Sequence, residues 1–164
     1  MTAPHRLIYF GSSELSADIL RFVLEQIDTN LEIAAVITQA AKPHAHAHQI
    51  DTPVARVAQE HGLPLIRPVK ISEALSEIKA LHADAGLLFA YGQLLPTELI
   101  KAFPRGIVNI HPSLLPKHRG PSPIEATILN GDTLTGTSLM LITEQMDAGP
   151  ILKQTSFPIT NTIT

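Results

Sequence analysis

The chain has 164 residues, of which 45% are hydrophobic and 16% are charged, and it contains no cysteine. The length fits one domain of ordinary size, and the apolar content excludes an intrinsically disordered protein. The net charge of −3 excludes a strongly basic nucleic-acid-binding protein, and the lack of cysteine excludes disulfides and thiolate chemistry. The first apolar run, residues 7–10, is too short for a signal peptide, and no run approaches the length of a membrane span. We therefore expect a cytoplasmic protein.

Strand and helix patterns alternate along the first 130 residues. Short apolar runs predict strands at 6–10, 31–38, 65–66, 85–90 and 106–110. Helical periodicity and capping residues predict helices that begin near Ser13, Pro53, Ser72, Thr97 and Ile124. Residues 39–51 are predicted to form a loop. This alternation is typical of a parallel sheet covered by helices on both faces.

The last third of the chain has a different pattern. Residues 135–142 and 151–158 follow one another without an intervening helix, which predicts an antiparallel pair around the loop 143–150. The predicted fold class is therefore α/β, a Rossmann-like doubly wound, mostly parallel sheet with an antiparallel C-terminal strand pair. Ligands of such sheets bind beyond the carboxyl ends of the strands, where residues 11, 91–92 and 109–111 lie.

Asn109 and His111 form the first candidate catalytic pair. They are two residues apart on extended chain, so their side chains point to the same side. An amide donor beside an imidazole can stabilise an oxyanion and move a proton, which is what acyl transfer requires. The alternative is an Asx turn followed by a solvent-facing histidine. Asp147, in the loop between the last two strands, supplies a carboxylate that could orient the imidazole if the fold brings them together.

Two other patterns have a structural and a functional interpretation. His44, His46 and His48 alternate as metal ligands can, but no carboxylate or cysteine accompanies them, which favours a solvated loop and predicts no metal site. Between Glu98 and Glu125 every charged residue is basic. This positive charge would attract a phosphate-bearing partner, or it belongs to a solvated face with no ligand.

The segment Asn109 to Pro116, Asn-Ile-His-Pro-Ser-Leu-Leu-Pro, resembles a motif of the folate-dependent formyltransferases. Further segments follow in the order and spacing of that family: Ala-Tyr-Gly-Gln-Leu-Leu-Pro at 90–96, Arg-Gly-Pro-Ser-Pro-Ile at 119–124, Gly-Asp at 131–132, Thr-Gly at 135–136 and Met-Asp-Ala-Gly at 146–149. The resemblance covers the whole chain. It implies a single catalytic domain over residues 1–164, apparently truncated before the closing helices and the C-terminal β-barrel with which the tRNA-specific members bind tRNA.

The segments at 90–96 and 119–124 are most similar to the branch that formylates methionyl-tRNA for translation initiation. The branch that formylates glycinamide ribonucleotide usually has a different sequence at 91–95 and lacks the segment at 119–124. Two alternatives remain open, an amino-sugar nucleotide as the acceptor and a non-catalytic folate- or RNA-binding remnant.

The resemblance implies roles for individual residues. Asn109, His111 and Asp147 correspond to the catalytic residues, and the formyl donor is 10-formyltetrahydrofolate. The implied folate contacts are Leu88, Gln93, Leu94, Leu95, Ile107, Ile142 and Thr143. The implied active-site loop is Ser113, Leu114, Leu115 and Pro116.

The implied tRNA contacts are Lys42, Lys117 and Arg119. The loop after Gln39 is usually rich in arginine and lysine in the tRNA-specific members, whereas here Lys42 is its only basic residue besides histidines. We hypothesise that the three histidines at 44, 46 and 48 make RNA binding acid-assisted.

Overall fold

The structure is a computed structural model that describes residues 3–43 and 49–160. The chain divides into two compact units, Met1–Gly106 and Ile107–Thr164, which are described separately below. In the described ranges, no helix is both long and apolar enough to cross a lipid bilayer.

The first unit is built on a parallel sheet. Its strands are β1 (His5–Gly11), β2 (Leu31–Ile37), β3 (Lys42–Pro43), β4 (Gln49–Ile50), β5 (Leu65–Ile66) and β6 (Ala85–Phe89). Its helices are α1 (Glu14–Gln26), α2 (Pro53–Glu60), α3 (Leu75–Ala80) and α4 (Thr97–Ile100), with a 3₁₀ turn at Ile71–Ala74. The strands β5, β2, β1 and β6 lie side by side in that order, and each neighbouring pair is parallel.

The core of this unit lies between the sheet and helices α1 and α2. Tyr9 and Val36 of the sheet and Leu20 and Val57 of the helices are fully buried in one cluster. The hydroxyl of Tyr9 donates to the backbone oxygen of Ser16 at 2.6 Å, so the buried ring keeps a hydrogen-bond partner. Burial raises the pKa of Tyr9 to about 12, so this hydroxyl stays protonated at physiological pH.

Two helix starts agree with the sequence prediction. The hydroxyl of Ser13 accepts from the N–H of Ser16 at 3.1 Å and caps α1. The hydroxyl of Thr52 accepts from the N–H of Ala55 at 3.1 Å and caps α2, whose first residue is a proline.

Two local predictions were wrong. Ser72 does not cap a helix but lies inside the 3₁₀ turn, because a 3₁₀ turn aligns residues three apart and thereby buries both Ile71 and Ala74. The predicted loop 39–51 contains the short strands β3 and β4, which pair antiparallel. Two-residue strands carry no alternation that a sequence pattern could reveal.

The second unit contains β7 (Ile107–His111), α5 (Pro123–Leu129), β8 (Leu134–Leu141) and β9 (Ile151–Pro158). The strand β8 pairs antiparallel with both β7 and β9, which confirms the antiparallel C-terminal pair. The strand β7 runs one residue further than predicted, because His111 pairs with Ser138. The parallel βα elements of the first unit and the antiparallel strands of the second confirm the predicted Rossmann-like α/β class.

Asp84, just before β6, gives the first unit a carboxylate whose charge contributes to stability. Its Oδ2 accepts from the backbone N–H of Arg6 at 2.7 Å, and this bond, assisted by the nearby His5 and Arg105, lowers the pKa of Asp84 below its usual 3.8. Because the folded pKa is the lower one, the stabilisation is complete above 3.8 and is lost as the pH falls through the folded value.

We expect Asp84→Asn to lower the free energy of unfolding at neutral pH, and the difference from wild type to shrink as the pH falls below 3.8. Urea unfolding at a series of pH values measures this. Glu25→Gln, on the exposed side of α1, is the control. A difference that stays constant across the acid range would contradict the assignment.

Candidate active site

Asn109 and His111 lie on β7, the first strand of the second unit. Asn109 lies opposite Met140 and His111 lies opposite Ser138, so the two side chains share one face of the strand. His111 is 4% exposed, whereas Asn109 is partly exposed. Within residues 3–43 and 49–160, no hydrogen bond joins the Asn109 side-chain amide to another residue, so its donors are available to a substrate oxygen.

The imidazole of His111 lies between two oxygen groups. Its Nε2 is 3.0 Å from the backbone oxygen of His118, and its Nδ1 is 3.8 Å from Oδ1 of Asp147. A carbonyl oxygen can only accept a hydrogen bond, so Nε2 is protonated and is the donor. Nδ1 is the nitrogen that faces the carboxylate. The side chains of His111 and Asp147 are 5% and 13% exposed, so water screens their interaction weakly. The fold therefore places Asp147 next to His111, as the sequence analysis required for an orienting carboxylate.

The loop that carries Asp147 is held against β8. Asp147 adopts a positive φ of 47°, a conformation that aspartate tolerates better than most residues, and its Oδ2 accepts from the N–H of Gly120 at 2.8 Å. The N–H of Leu141 donates to the oxygen of Pro150 at 2.9 Å. A Cβ on Gly149 would lie 1.9 Å from the oxygen of Leu141, so only glycine fits there without movement of the loop.

The predicted active-site loop, 113–116, is fastened to β8 and β9 by one buried hydroxyl. Ser138 is fully buried, and its hydroxyl donates to the oxygen of Ser113 at 2.6 Å. The hydroxyl oxygen of Ser138 in turn accepts from the N–H of Leu115 at 3.1 Å and from Nε2 of Gln154 at 2.8 Å. Gln154 also donates to the oxygen of Leu115 at 2.9 Å. The hydroxyl thus uses its one donor and both lone pairs, which fixes the loop that follows His111.

We expect Ser138→Ala to lower the free energy of unfolding by about 1–3 kcal/mol, because it leaves the buried N–H of Leu115 without a partner. Urea denaturation measures the change. Thr137→Ala, one residue earlier on the opposite face of β8, removes a hydroxyl that makes no hydrogen bond to the described part of the chain, and it should cost less. Equal losses in the two variants would contradict the assignment.

The predicted folate contacts in the first unit lie in and after β6. Leu88 is half-buried within β6, Leu95 is half-buried in the following loop, and Leu94 is 76% exposed. The side-chain amide of Gln93 is already engaged within the protein: its Oε1 accepts from the N–H of Ile71 at 2.9 Å and its Nε2 donates to the oxygen of Val69 at 3.1 Å. Gln93 can therefore offer a ligand its backbone groups rather than its amide.

The predicted folate contacts in the second unit differ in accessibility. Ile107 is fully buried at the start of β7, so its side chain belongs to the core. Ile142 is half-buried, and its N–H donates to the oxygen of Ile107 at 2.8 Å. Thr143 is exposed, with its hydroxyl donating to the oxygen of Gln145 at 3.1 Å.

The predicted tRNA contacts are only partly described. Lys117 and Arg119 are exposed in the segment before α5. Lys42 belongs to β3, and its side chain lies outside the description. His44, His46 and His48 also lie outside the described residues, so the metal and acid-assisted RNA interpretations of that segment stay untested.

No group of three or more histidine, aspartate or glutamate side chains that could hold a metal ion occurs in the part of the chain that the structure describes. A surface cleft of about 540 Å³ lies on the first unit, lined by Lys79, His82, Ala83, Glu98, Lys101, Ala102 and Pro104. None of the predicted site residues lines this cleft.

Sequence reasoning missed the residues that hold the site in place. They are His118, Gly120, Ser138 and Gln154. Only Ser138 has a sequence signal, since it is a polar residue on the inward face of β8 between Gly136 and Met140, and a buried polar group needs partners. The other three act through backbone groups or across long sequence separations, for which a single sequence has no pattern.

The chain is similar to known proteins in sequence and in fold. Residues 5–164 match the formyl transferase family. The methionyl-tRNA formyltransferase of Roseiflexus sp. (strain RS-1) is 38% identical over 159 residues, which are 95% of this chain and 48% of that protein. The chain thus spans about half the length of the curated relatives it matches.

Solved structures show the same fold. The phosphoribosylglycinamide formyltransferase of Bacillus halodurans has a TM-score of 0.78 at 28% identity, over 97% of this chain and 82% of that one. A formyltetrahydrofolate deformylase from Pseudomonas syringae pv. tomato has a TM-score of 0.74 at 26% identity, over 96% of this chain and 52% of that one.

Proposed function

Because the chain belongs to the formyl transferase family, we propose that it transfers a formyl group from 10-formyltetrahydrofolate to the amino group of methionyl-tRNA. The observation that carries this proposal is the arrangement in the second unit. A free amide donor, Asn109, shares a strand face with His111, whose Nδ1 lies 3.8 Å from the carboxylate of Asp147. In this proposal residues 1–164 form the catalytic domain.

The first step is addition of the acceptor amine to the formyl carbon. A free α-amino group has a pKa of ~8, so an appreciable fraction is unprotonated and nucleophilic at neutral pH. As the C–N bond forms, the carbonyl oxygen of the formyl group becomes an oxyanion. The side-chain N–H groups of Asn109 donate to it, and they need no prior release because no described residue occupies them.

The second step breaks the bond between the formyl carbon and the folate nitrogen. That nitrogen must gain a proton as it leaves, and the acceptor nitrogen must lose one. His111 helps to move this proton through a bridging water molecule, because its Nε2 is held by the backbone oxygen of His118 and its Nδ1 faces Asp147. The carboxylate of Asp147 holds the ring in orientation.

The folate contacts that we propose follow the family resemblance. The apolar contacts are Leu88, Leu94, Leu95, Ile107 and Ile142, and backbone groups near Gln93, Leu95 and Thr143 read the polar edge of the pterin. The 76% exposure of Leu94 supports its place in this set, because an apolar side chain gains free energy when a ligand covers it. The full burial of Ile107 makes it a supporting residue behind the contact surface rather than a direct contact.

Methionyl-tRNA is the acceptor that we favour, because the curated relatives at 38–40% identity carry that activity in their names. The exposed Lys117 and Arg119 would attract its phosphates, and Lys42 is the third proposed contact. An amino-sugar nucleotide also carries phosphates, so charge alone does not separate the two acceptors.

Single-turnover transfer from 10-formyltetrahydrofolate tests the proposal. The folate absorbance is followed while methionyl-tRNA, an amino-sugar nucleotide and glycinamide ribonucleotide are offered in parallel. We expect transfer to methionyl-tRNA alone. Transfer to another acceptor instead would retain the reaction and replace the substrate, and transfer to none of them, with folate bound, would overturn the proposal in favour of a binding domain.

A further inference from the structure

The short segment 118–120 contacts both members of the His111–Asp147 pair. The backbone oxygen of His118 accepts from Nε2 of His111 at 3.0 Å, and the N–H of Gly120 donates to Oδ2 of Asp147 at 2.8 Å. His118 and Gly120 have positive φ angles of 54° and 107°. The segment is therefore a tight turn, and its backbone positions the hydrogen-bond partners of both His111 and Asp147.

The side chain of His118 anchors this turn. Its Nε2 lies 2.6 Å from Oδ2 of Asp132, and the Nδ2 of Asn130 donates to the other carboxylate oxygen at 2.7 Å. The His118 bond is the main reason that the pKa of Asp132 falls below its usual 3.8, so Asp132 is a charged acceptor at neutral pH. The side chains of His118 and Asp132 are only 16% and 13% exposed, which strengthens this contact relative to a surface pair.

We propose that His118 and Asp132 form a positioning anchor, which holds the turn 118–120 so that His111 keeps its proton on Nε2 and presents Nδ1 to Asp147. Neither residue touches the reacting atoms, and both act through the backbone of the turn. The consequence for activity rests on the proposed formyl transfer, whereas the consequence for the state of the His111 ring does not.

The physical reason lies in the two nitrogens of a neutral imidazole. Which nitrogen carries the proton is decided by the hydrogen bonds that the ring makes, and a fixed carbonyl at Nε2 selects one form. If the anchor is removed, the turn keeps the bond from the Gly120 N–H to Asp147 and the bond from the Ser113 hydroxyl to the oxygen of Lys117. No side-chain contact then holds His118 itself at its positive φ, and its carbonyl can move away from Nε2 of His111. The ring can then populate the other tautomer or rotate, which displaces Nδ1 from Asp147.

The decisive variant is His118→Asn. Asparagine adopts positive φ readily and keeps the backbone carbonyl, but its amide ends short of the position that Nε2 of His118 occupies. The variant therefore removes the side-chain anchor and keeps a residue that tolerates the turn conformation. Asp132→Ala removes the other half of the anchor, and His5→Ala is a matched control, since it removes a histidine beside Asp84 in the first unit.

The readout is nitrogen-15 NMR of the His111 ring in the 164-residue protein at alkaline pH, where the two tautomers have different nitrogen shifts. We expect a single form with the proton on Nε2 in wild type and His5→Ala, and a mixture in His118→Asn and Asp132→Ala. We expect the single-turnover rate to fall by about 10- to 100-fold in the two anchor variants, with folate affinity unchanged. The double variant should be no slower than either single variant.

An unchanged tautomer in both folded anchor variants would overturn the proposal, whatever the rates. Circular dichroism identifies folded variants, and Asp132→Asn, which keeps the shape of the carboxylate, serves if either of the others unfolds. If wild type transfers no formyl group but the tautomer shifts as expected, the proposed function fails and the anchor stands. If wild type is active and the tautomer does not shift, the anchor fails and the function stands.

Discussion

Replacing Asn109 with alanine is expected to slow formyl transfer by about 10²- to 10³-fold while leaving the affinity for folate close to that of wild type. In the proposed mechanism the amide donates to the oxyanion that develops in the transition state, so its loss raises the barrier without weakening ground-state binding. Asn109 is partly exposed and makes no side-chain hydrogen bond to the residues that the structure describes, so its removal should also leave stability nearly unchanged.

Single-turnover rates and equilibrium folate binding, measured on the same preparation, check this expectation. Asn30→Ala is a matched control, because the Asn30 side chain donates to Asp28 on an exposed turn of the first unit. Should binding and turnover fall by the same factor, Asn109 would be a binding residue and its place in the mechanism would be wrong.

Replacing Gly149 with alanine is expected to lower the free energy of unfolding by about 1–3 kcal/mol and to reduce transfer as well. The new Cβ would lie 1.9 Å from the backbone oxygen of Leu141 and 3.0 Å from Cγ2 of Thr143. A backbone oxygen in a strand cannot rotate away as a side chain can, so the loop 143–150 must move off β8. Asp147 is part of that loop, and its distance of 3.8 Å to Nδ1 of His111 would change with it.

Thermal and urea unfolding together with the single-turnover rate measure both effects. Gln145→Ala changes an exposed side chain of the same loop and should alter neither quantity. A Gly149→Ala protein with wild-type stability and rate would show that the loop tolerates the displacement, and the geometry of Asp147 would then be unimportant for transfer.

The fold class followed from local patterns in the sequence. Apolar runs and helix-start residues such as Ser13 and Pro53 predict strands and helices because they act over a few residues, and the structure has helices that begin at those two places. The antiparallel pair β8 and β9 was predicted in the same way, from two alternating segments with no helix between them. The short pair β3 and β4 was not, because two residues are too few to show a period.

For the candidate site, local patterns were enough to predict that Asn109 and His111 share a face, since the alternation of side chains along a strand is local. The proximity of Asp147 to His111 depends on tertiary structure, because the two residues are far apart in sequence. Pairing between β7 and β8 and the loop after β8 bring them together. The same holds for the groups that orient the pair, the carbonyl of His118 and the N–H of Gly120. Every residue has these backbone groups, so the choice of one of them as a partner depends on the folded path of the chain and not on residue identity.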